Sequence, residues 1–201
     1  LFISGIPIIF HSSAMLLIAQ TDKFLIGNLL SLSEVGTYGV SAQLASVVQI
    51  LAGGMAMAYA PSLYKRLAAP HQDDGGKSAK TFRLFSIILY LFLVCYVVFV
   101  HYFNPILFGP TFVFQEVSFL ILAVGSALFG TYYFFSGYFY YYQYTKLLAL
   151  ITCIIAVVNL IVSYNLIPRY GINGAAVGSF FAYMVALLCA GCAGVYFRKK
   201  G

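Results

Sequence analysis

The apolar and polar positions divide the chain into long uncharged runs separated by short charged joins. Uncharged runs cover 1–21, 35–64, 84–115, 117–145, 147–168 and 170–197. Each is at least as long as the roughly 20 residues a helix needs to cross a hydrocarbon core about 30 Å thick. The pattern predicts an all-α integral membrane protein, a six-transmembrane-helix bundle in a single membrane domain, 1–201. Its helices are expected near 5–30, 35–63, 82–104, 115–142, 146–168 and 172–197. Asn104-Pro105 and Gly109-Pro110 are expected to end the third helix before its uncharged run ends. No stretch shows the period-2 alternation, in segments of about ten residues, of a membrane β-barrel.

The composition agrees. Of 201 residues, 62% are hydrophobic and 8% charged, against about 25% charged in an ordinary soluble domain. The net charge of +6 would suggest nucleic acid if the basic residues formed a patch, but they sit at the ends of apolar runs, so no nucleic-acid partner is expected. Lys65, Arg66, Lys77, Lys80, Arg83, Lys146, Arg198, Lys199 and Lys200 fall on one side of the alternating helices, and Arg169 alone on the other. The excess of Lys and Arg marks the cytoplasmic side. Both ends of the sequence and the loop 64–81 are therefore expected in the cytoplasm. The sequence opens inside a hydrophobic segment without Met, which reads as a chain whose preceding part is missing.

Polar residues within the apolar runs carry the candidate chemistry. The segment 5–27 holds Gln20-Thr21-Asp22-Lys23 deep inside it, with Lys23 about 24 Å along a helix from Pro7. An ionisable group at such depth costs roughly 2.5–3.5 kcal/mol on insertion scales, so it is expected to face a protein interior or a wet cavity. The alternative is that Lys23 snorkels to the far headgroups, with Asp22 a structural partner. Asp22 and Lys23 are about 100° apart on a helix and cannot pair with each other, so each needs a partner elsewhere. Gln43, Ser46, Gln49 and Gly53 form one polar stripe, and Thr152, Ala156, Asn159 and Ser163 a second. Such stripes either glue helices together or line water. Their coincidence with Asp22 and Lys23 points to a shared hydrated cavity, with Gln20, Asp22, Lys23, Gln43, Gln49 and Asn159 as its candidate residues. Gly174-Ala-Ala-Val-Gly178 and Ala52/Ala56/Ala60 are small-residue surfaces for close helix contact. The segment Tyr132–Tyr142 is expected to form an interfacial aromatic belt, with sugar stacking as the alternative.

Other motifs are set aside. Cys189-Ala-Gly-Cys192 lacks the further ligands of a metal site and the soluble setting of a redox motif, leaving two small packing residues. Asp73-Asp74 is followed by Gly75-Gly76-Lys77 rather than further acids, and reads as a solvated turn. His11, His71 and His101 are scattered. No catalytic residue, metal ligand or cofactor is expected, and the chain reads as a non-enzyme.

Two stretches resemble a known family. Residues 5–47, with Pro7, Asp22-Lys23, Gly27 and Glu34-Val35-Gly36-x-Tyr38, are similar to the seventh and eighth helices of Wzx-type polysaccharide flippases, members of the MOP exporter superfamily. Asn159 together with Tyr164–Ala176 is similar to the family's join between helices eleven and twelve. The resemblance implies the C-terminal half of a twelve-helix MOP-type flippase, with the N-terminal six-helix half as its partner. It implies passage of an undecaprenyl-pyrophosphate-linked oligosaccharide across the bacterial inner membrane by alternating access, among membrane lipids and beside polysaccharide polymerase machinery. The family's Asp-Arg is here Asp22-Lys23, which keeps the charge and loses the bidentate fork. The runner-up within the superfamily is a cation-coupled drug exporter, which favours acidic residues in the first bundle. A reading from another class is a non-transporting assembly subunit of a glycan-synthesis complex, which needs no buried charge. A membrane glycan or prenyl transferase would need an acidic metal cluster.

Overall fold

The computed structural model describes residues 20–68, 76–109 and 113–200, except for the side chains of 77 and 193–200. The predicted first helix is described only from 20 onward; Pro7, His11, His71 and Asp73-Asp74 lie outside the described residues. The order is α1 (20–29), α2 (Leu32–Leu67), α3 (Lys77–Phe108), α4 (Glu116–Tyr141), α5 (Thr145–Tyr170) and α6 (Ile172–Lys200). Among the described residues the chain is all helical, and α2 to α6 are each long and apolar enough to cross a membrane.

The joins explain why the helices stop where they do. Ser31 caps α2, its hydroxyl accepting the Glu34 amide at 3.3 Å, and Glu34 places its charge in the first turn, where the helix dipole favours it. Gly109, at φ 71°, closes α3, and Gly171, at φ 59°, is the single-residue turn between α5 and α6. Both need the left-handed region open to glycine. Asn104-Pro105 does not end α3, contrary to the sequence expectation, and the helix runs on to Phe108. Pro105 falls in the last turn, where its missing amide and ring disturb the carbonyls of one preceding turn only.

α4 is the central helix. It packs on α2 along one side and on α6 along another, with α5 against α6 and α3 at the periphery. The close approaches are made by small residues. A Cβ on Gly130 would lie 2.5 Å from the Ala52 Cβ of α2, and one on Gly174 would lie 2.5 Å from the Leu166 carbonyl of α5. A Cβ on Gly178 would run into the Ser163 hydroxyl. In hydrocarbon, where apolar side chains gain little by leaving lipid for protein, such close backbone approach supplies much of the helix–helix attraction. The predicted small-residue surfaces at Ala52 and at 174–178 therefore lie at helix crossings.

Contacts at the two ends show that the helices alternate in direction. Ser78 and Tyr138 hydroxyls are 3.2 Å apart, and the Tyr64 and Tyr141 rings 5.7 Å, at one end. At the other, Asn104 donates to Glu116 at 3.1 Å and the Ser118 hydroxyl donates to the side-chain Oδ1 of Asn173 at 2.7 Å. Lys65, Arg66, Lys80, Arg83 and Lys146 cluster by helix end with the first set, as the charge pattern requires.

The tyrosine-rich segment is not simply an interfacial belt. Tyr132, Phe134, Ser136 and Phe139 are buried, and Phe134 stacks on Tyr59 at 4.8 Å, while Tyr140 and Tyr142 are exposed. The buried residues of this segment lie on opposite sides of α4, which is packed by several helices, and exposure within the segment begins only at its end, at Tyr140 and Tyr142. Cys189 is half-buried against the Phe129–Ala190 cluster and Cys192 is exposed, so only the first acts as a packing residue.

Gly130→Ala should lower the melting temperature of the detergent-solubilised protein, with an overpacking cost of about 1–3 kcal/mol. Gly54→Ala, where a Cβ meets nothing within 4 Å, should leave it level or raise it slightly, since Ala is the better helix former. Equal melting temperatures for the two variants would refute the close crossing of α2 and α4.

Candidate functional site

α1 presents three faces. Asp22, Leu25 and Ile26 are buried against the other helices, Gln20 and Lys23 point toward a cavity, and Phe24 is exposed on the outside. The spacings 22/25/26 and 20/23 are those of single helical stripes. The sequence folds this way because Asp22 has directional partners on the inner face. The hydroxyls of Tyr38 on α2 (2.7 Å) and Ser179 on α6 donate to Oδ2. Asn159 Nδ2 (3.1 Å) and the Ser163 hydroxyl (3.2 Å), both on α5, donate to Oδ1. An ionised carboxylate has about four lone-pair sites, and all four are used, each by a neutral donor. Asn159 Nδ2 also donates to the Ser179 hydroxyl oxygen at 3.3 Å, while its own Oδ1 is buried without a hydrogen-bond partner.

The cluster lies six or seven residues in from the ends of three helices, counted from Leu32 to Tyr38, Ser163 to Tyr170 and Ile172 to Ser179. At 1.5 Å per residue that is about 10 Å from the end opposite the basic residues. Lys23 therefore sits about two helical turns in from that end of the bundle.

The cavity has a volume of about 220 Å³. α1 contributes Gln20, Asp22 and Lys23; α2 contributes Tyr38, Gln43, Ser46 and Gln49; α4 gives Ser126; and α6 gives Ser179 and Tyr183. Gln49 Nε2 reaches the Ser126 hydroxyl at 3.4 Å. Lys23 is half-buried on this wall, and no described residue forms an ion pair or hydrogen bond with it. The site thus pairs a cation without a described partner with amides and hydroxyls able to donate or accept, an arrangement suited to an anionic group that also carries hydrogen-bonding atoms. Among the described residues no three His, Cys, Asp or Glu side chains gather as metal ligands.

Five of the six predicted site residues, Gln20, Asp22, Lys23, Gln43 and Gln49, line this cavity. Asn159 does not. It lies behind Asp22, fully buried with Thr152 and Ser163, so the stripe on α5 joins helices and only the stripe on α2 lines the cavity. The two stripes do not share one hydrated space, because the carboxylate takes up the donors of α5. Sequence reasoning passed over Ser126, Ser179 and Tyr183 and gave Tyr38 no place in the cavity, although it named Tyr38 in a motif. A signal existed for two of them: Tyr38 lies one helical turn beyond Glu34, and Ser179 directly follows Gly178. No family model, curated protein or solved structure matches the chain.

Cysteines placed singly at 20, 23 and 43, with Cys95, Cys153, Cys189 and Cys192 replaced by serine, should react with a charged thiol reagent in membranes. Cysteines at 25 and 26 should remain unmodified. Equal reactivity at 23 and 26 would remove the division of α1 into a wet and a dry face.

Proposed function

We propose that this chain is the C-terminal bundle of a Wzx-type flippase of the bacterial inner membrane, one wall of a path for undecaprenyl-pyrophosphate-linked oligosaccharide. The observation that carries the reading is Lys23, a half-buried cation on a polar cavity wall about 10 Å in from the helix ends and without a described partner. Holding an ammonium there costs a few kcal/mol, and an anionic headgroup leaving water offsets that cost. Lys serves as a point-charge partner for phosphate without the fork of Arg. The cavity is smaller than the roughly 300–1,000 Å³ of small-molecule pockets. It therefore suits a phosphate or a single ring, with the rest of the lipid-linked glycan resting on the opposing N-terminal bundle. The resemblance of 5–47 and 159–176 to the family supports the same reading, as does the polar lining at Gln43 and Gln49.

In this reading the protein is a transporter and performs no covalent chemistry. Its basic end faces the cytoplasm, where the lipid-linked substrate is assembled. Membrane lipids surround α3, whose exposed surface is rich in Leu, Ile, Val and Phe.

Export of surface glycan in a flippase-deficient strain tests the proposal, with the full-length protein at matched levels. Lys23→Ala should reduce export at least about tenfold, as expected for loss of a charge-assisted contact, and Lys23→Arg should retain most of it. Wild-type export by Lys23→Ala would overturn the role given to this residue.

The orientation is tested separately in spheroplasts. A single cysteine at Ala79 should resist an impermeant maleimide, while one at Val113, which is exposed, should react. The reverse pattern would invert the proposed topology.

A further inference from the structure

Of the three faces of α1, the inner one holds the Asp22 carboxylate and its directional ties to other helices. Leu25 and Ile26 lie against protein and Phe24 faces outward, but in hydrocarbon an apolar side chain gains little by choosing protein over lipid. Such residues tolerate rotation of the helix about its axis. Hydrogen bonds do not, because they weaken steeply when bent or stretched. The Asp22 carboxylate holds four, reaching three helices on different sides: α2 through Tyr38, α5 through Asn159 and Ser163, and α6 through Ser179. Partners on both oxygens fix the carboxylate in its plane as well as in position.

Lys23 is the next residue, so its direction follows from that of Asp22 by one step of about 100°. That step carries it from the buried junction to the cavity wall, on the stripe it shares with Gln20. We infer that Asp22 is a positioning residue: its bonds to α2, α5 and α6 set the rotation of α1 and thereby aim Lys23 into the cavity. The consequence for transport rests on the reading of Lys23 as the headgroup's cation, whereas the rotation itself does not. Tyr38 and Ser179 lie on the cavity side of the carboxylate, and Asn159 and Ser163 lie behind it. The aim of Lys23 is thus held by donors on both sides of the carboxylate.

The test reads rotation without transport. In the cysteine-free background, single cysteines at 23 and at 26 are modified in membranes by trimethylammonium-ethyl methanethiosulfonate, and the ratio of the two rates is compared across Asp22 variants. With Asp22 intact, position 23 should react faster. Asp22→Leu removes all four bonds and should lower the ratio about tenfold or more, by slowing position 23 and exposing position 26. Asp22→Asn retains the shape and part of the bonding and should keep most of the ratio. A merely stabilising role would instead lower the melting temperature while leaving the ratio unchanged, and that result overturns the inference. Should Asp22→Leu fail to accumulate, Ser163→Ala combined with Ser179→Ala removes one donor from each carboxylate oxygen. The ratio should then fall about threefold, and an unchanged ratio is again fatal. Loss of export in Lys23→Ala with no shift of the ratio in the Asp22 variants would retain the transport reading and remove this one. A shifted ratio with normal export in Lys23→Ala would do the opposite.

Discussion

A carboxylate shut away from water has to be surrounded by donors, and the junction of α1, α2, α5 and α6 is built to that requirement. Asp22 is 4% exposed, and an unpaired charge at such a site would cost several kcal/mol. Four neutral donors meet the need with short, directional contacts. Their positions dictate much else. Tyr38 must lie one helical turn past the start of α2's acidic first turn, Asn159 and Ser163 must occupy successive turns of α5, and Ser179 must point back from α6. The orphaned Oδ1 of Asn159 follows from the same demand, since its amide nitrogen is turned toward the anion and its oxygen has to point away.

The donors reach the carboxylate only because the helices behind it come unusually close. Gly178 and Ser163 meet where any larger residue would collide, and Gly174 rests on the Leu166 backbone. Close backbone approach there brings Ser163 and Ser179, short side chains both, within reach of one carboxylate. Longer polar residues on a wider crossing would lose more conformational entropy for the same bonds. Packing and polar satisfaction are therefore one arrangement in this part of the bundle.

The helices were plain in the sequence because uncharged runs and charged joins speak directly to membrane thickness, and α2 and α4 to α6 fall within a few residues of expectation. α3 ran past Pro105 because a proline disturbs only the turn before it, and near a helix end that costs little. The site was half legible. Gln20, Asp22, Lys23, Gln43 and Gln49 stood out as polar residues in apolar surroundings. The different duties of the two polar stripes did not, since which one meets water depends on where Asp22 points. Likewise, a run such as Tyr132–Tyr142 does not reveal that alternate residues are buried until α2, α3 and α6 are placed around α4.

The adjacency of Asp22 and Lys23 has an electrical consequence. With both groups ionised, this segment of α1 carries no net charge, so its displacement across the membrane field does essentially no work against the potential. The same segment with a multiply charged anion on Lys23 is net negative, and each elementary charge carried through 100 mV is worth about 2.3 kcal/mol. Under the proposed reading as an inner-membrane exporter, with the cytoplasm negative, that term would favour outward passage of the loaded wall and leave the empty wall free to return.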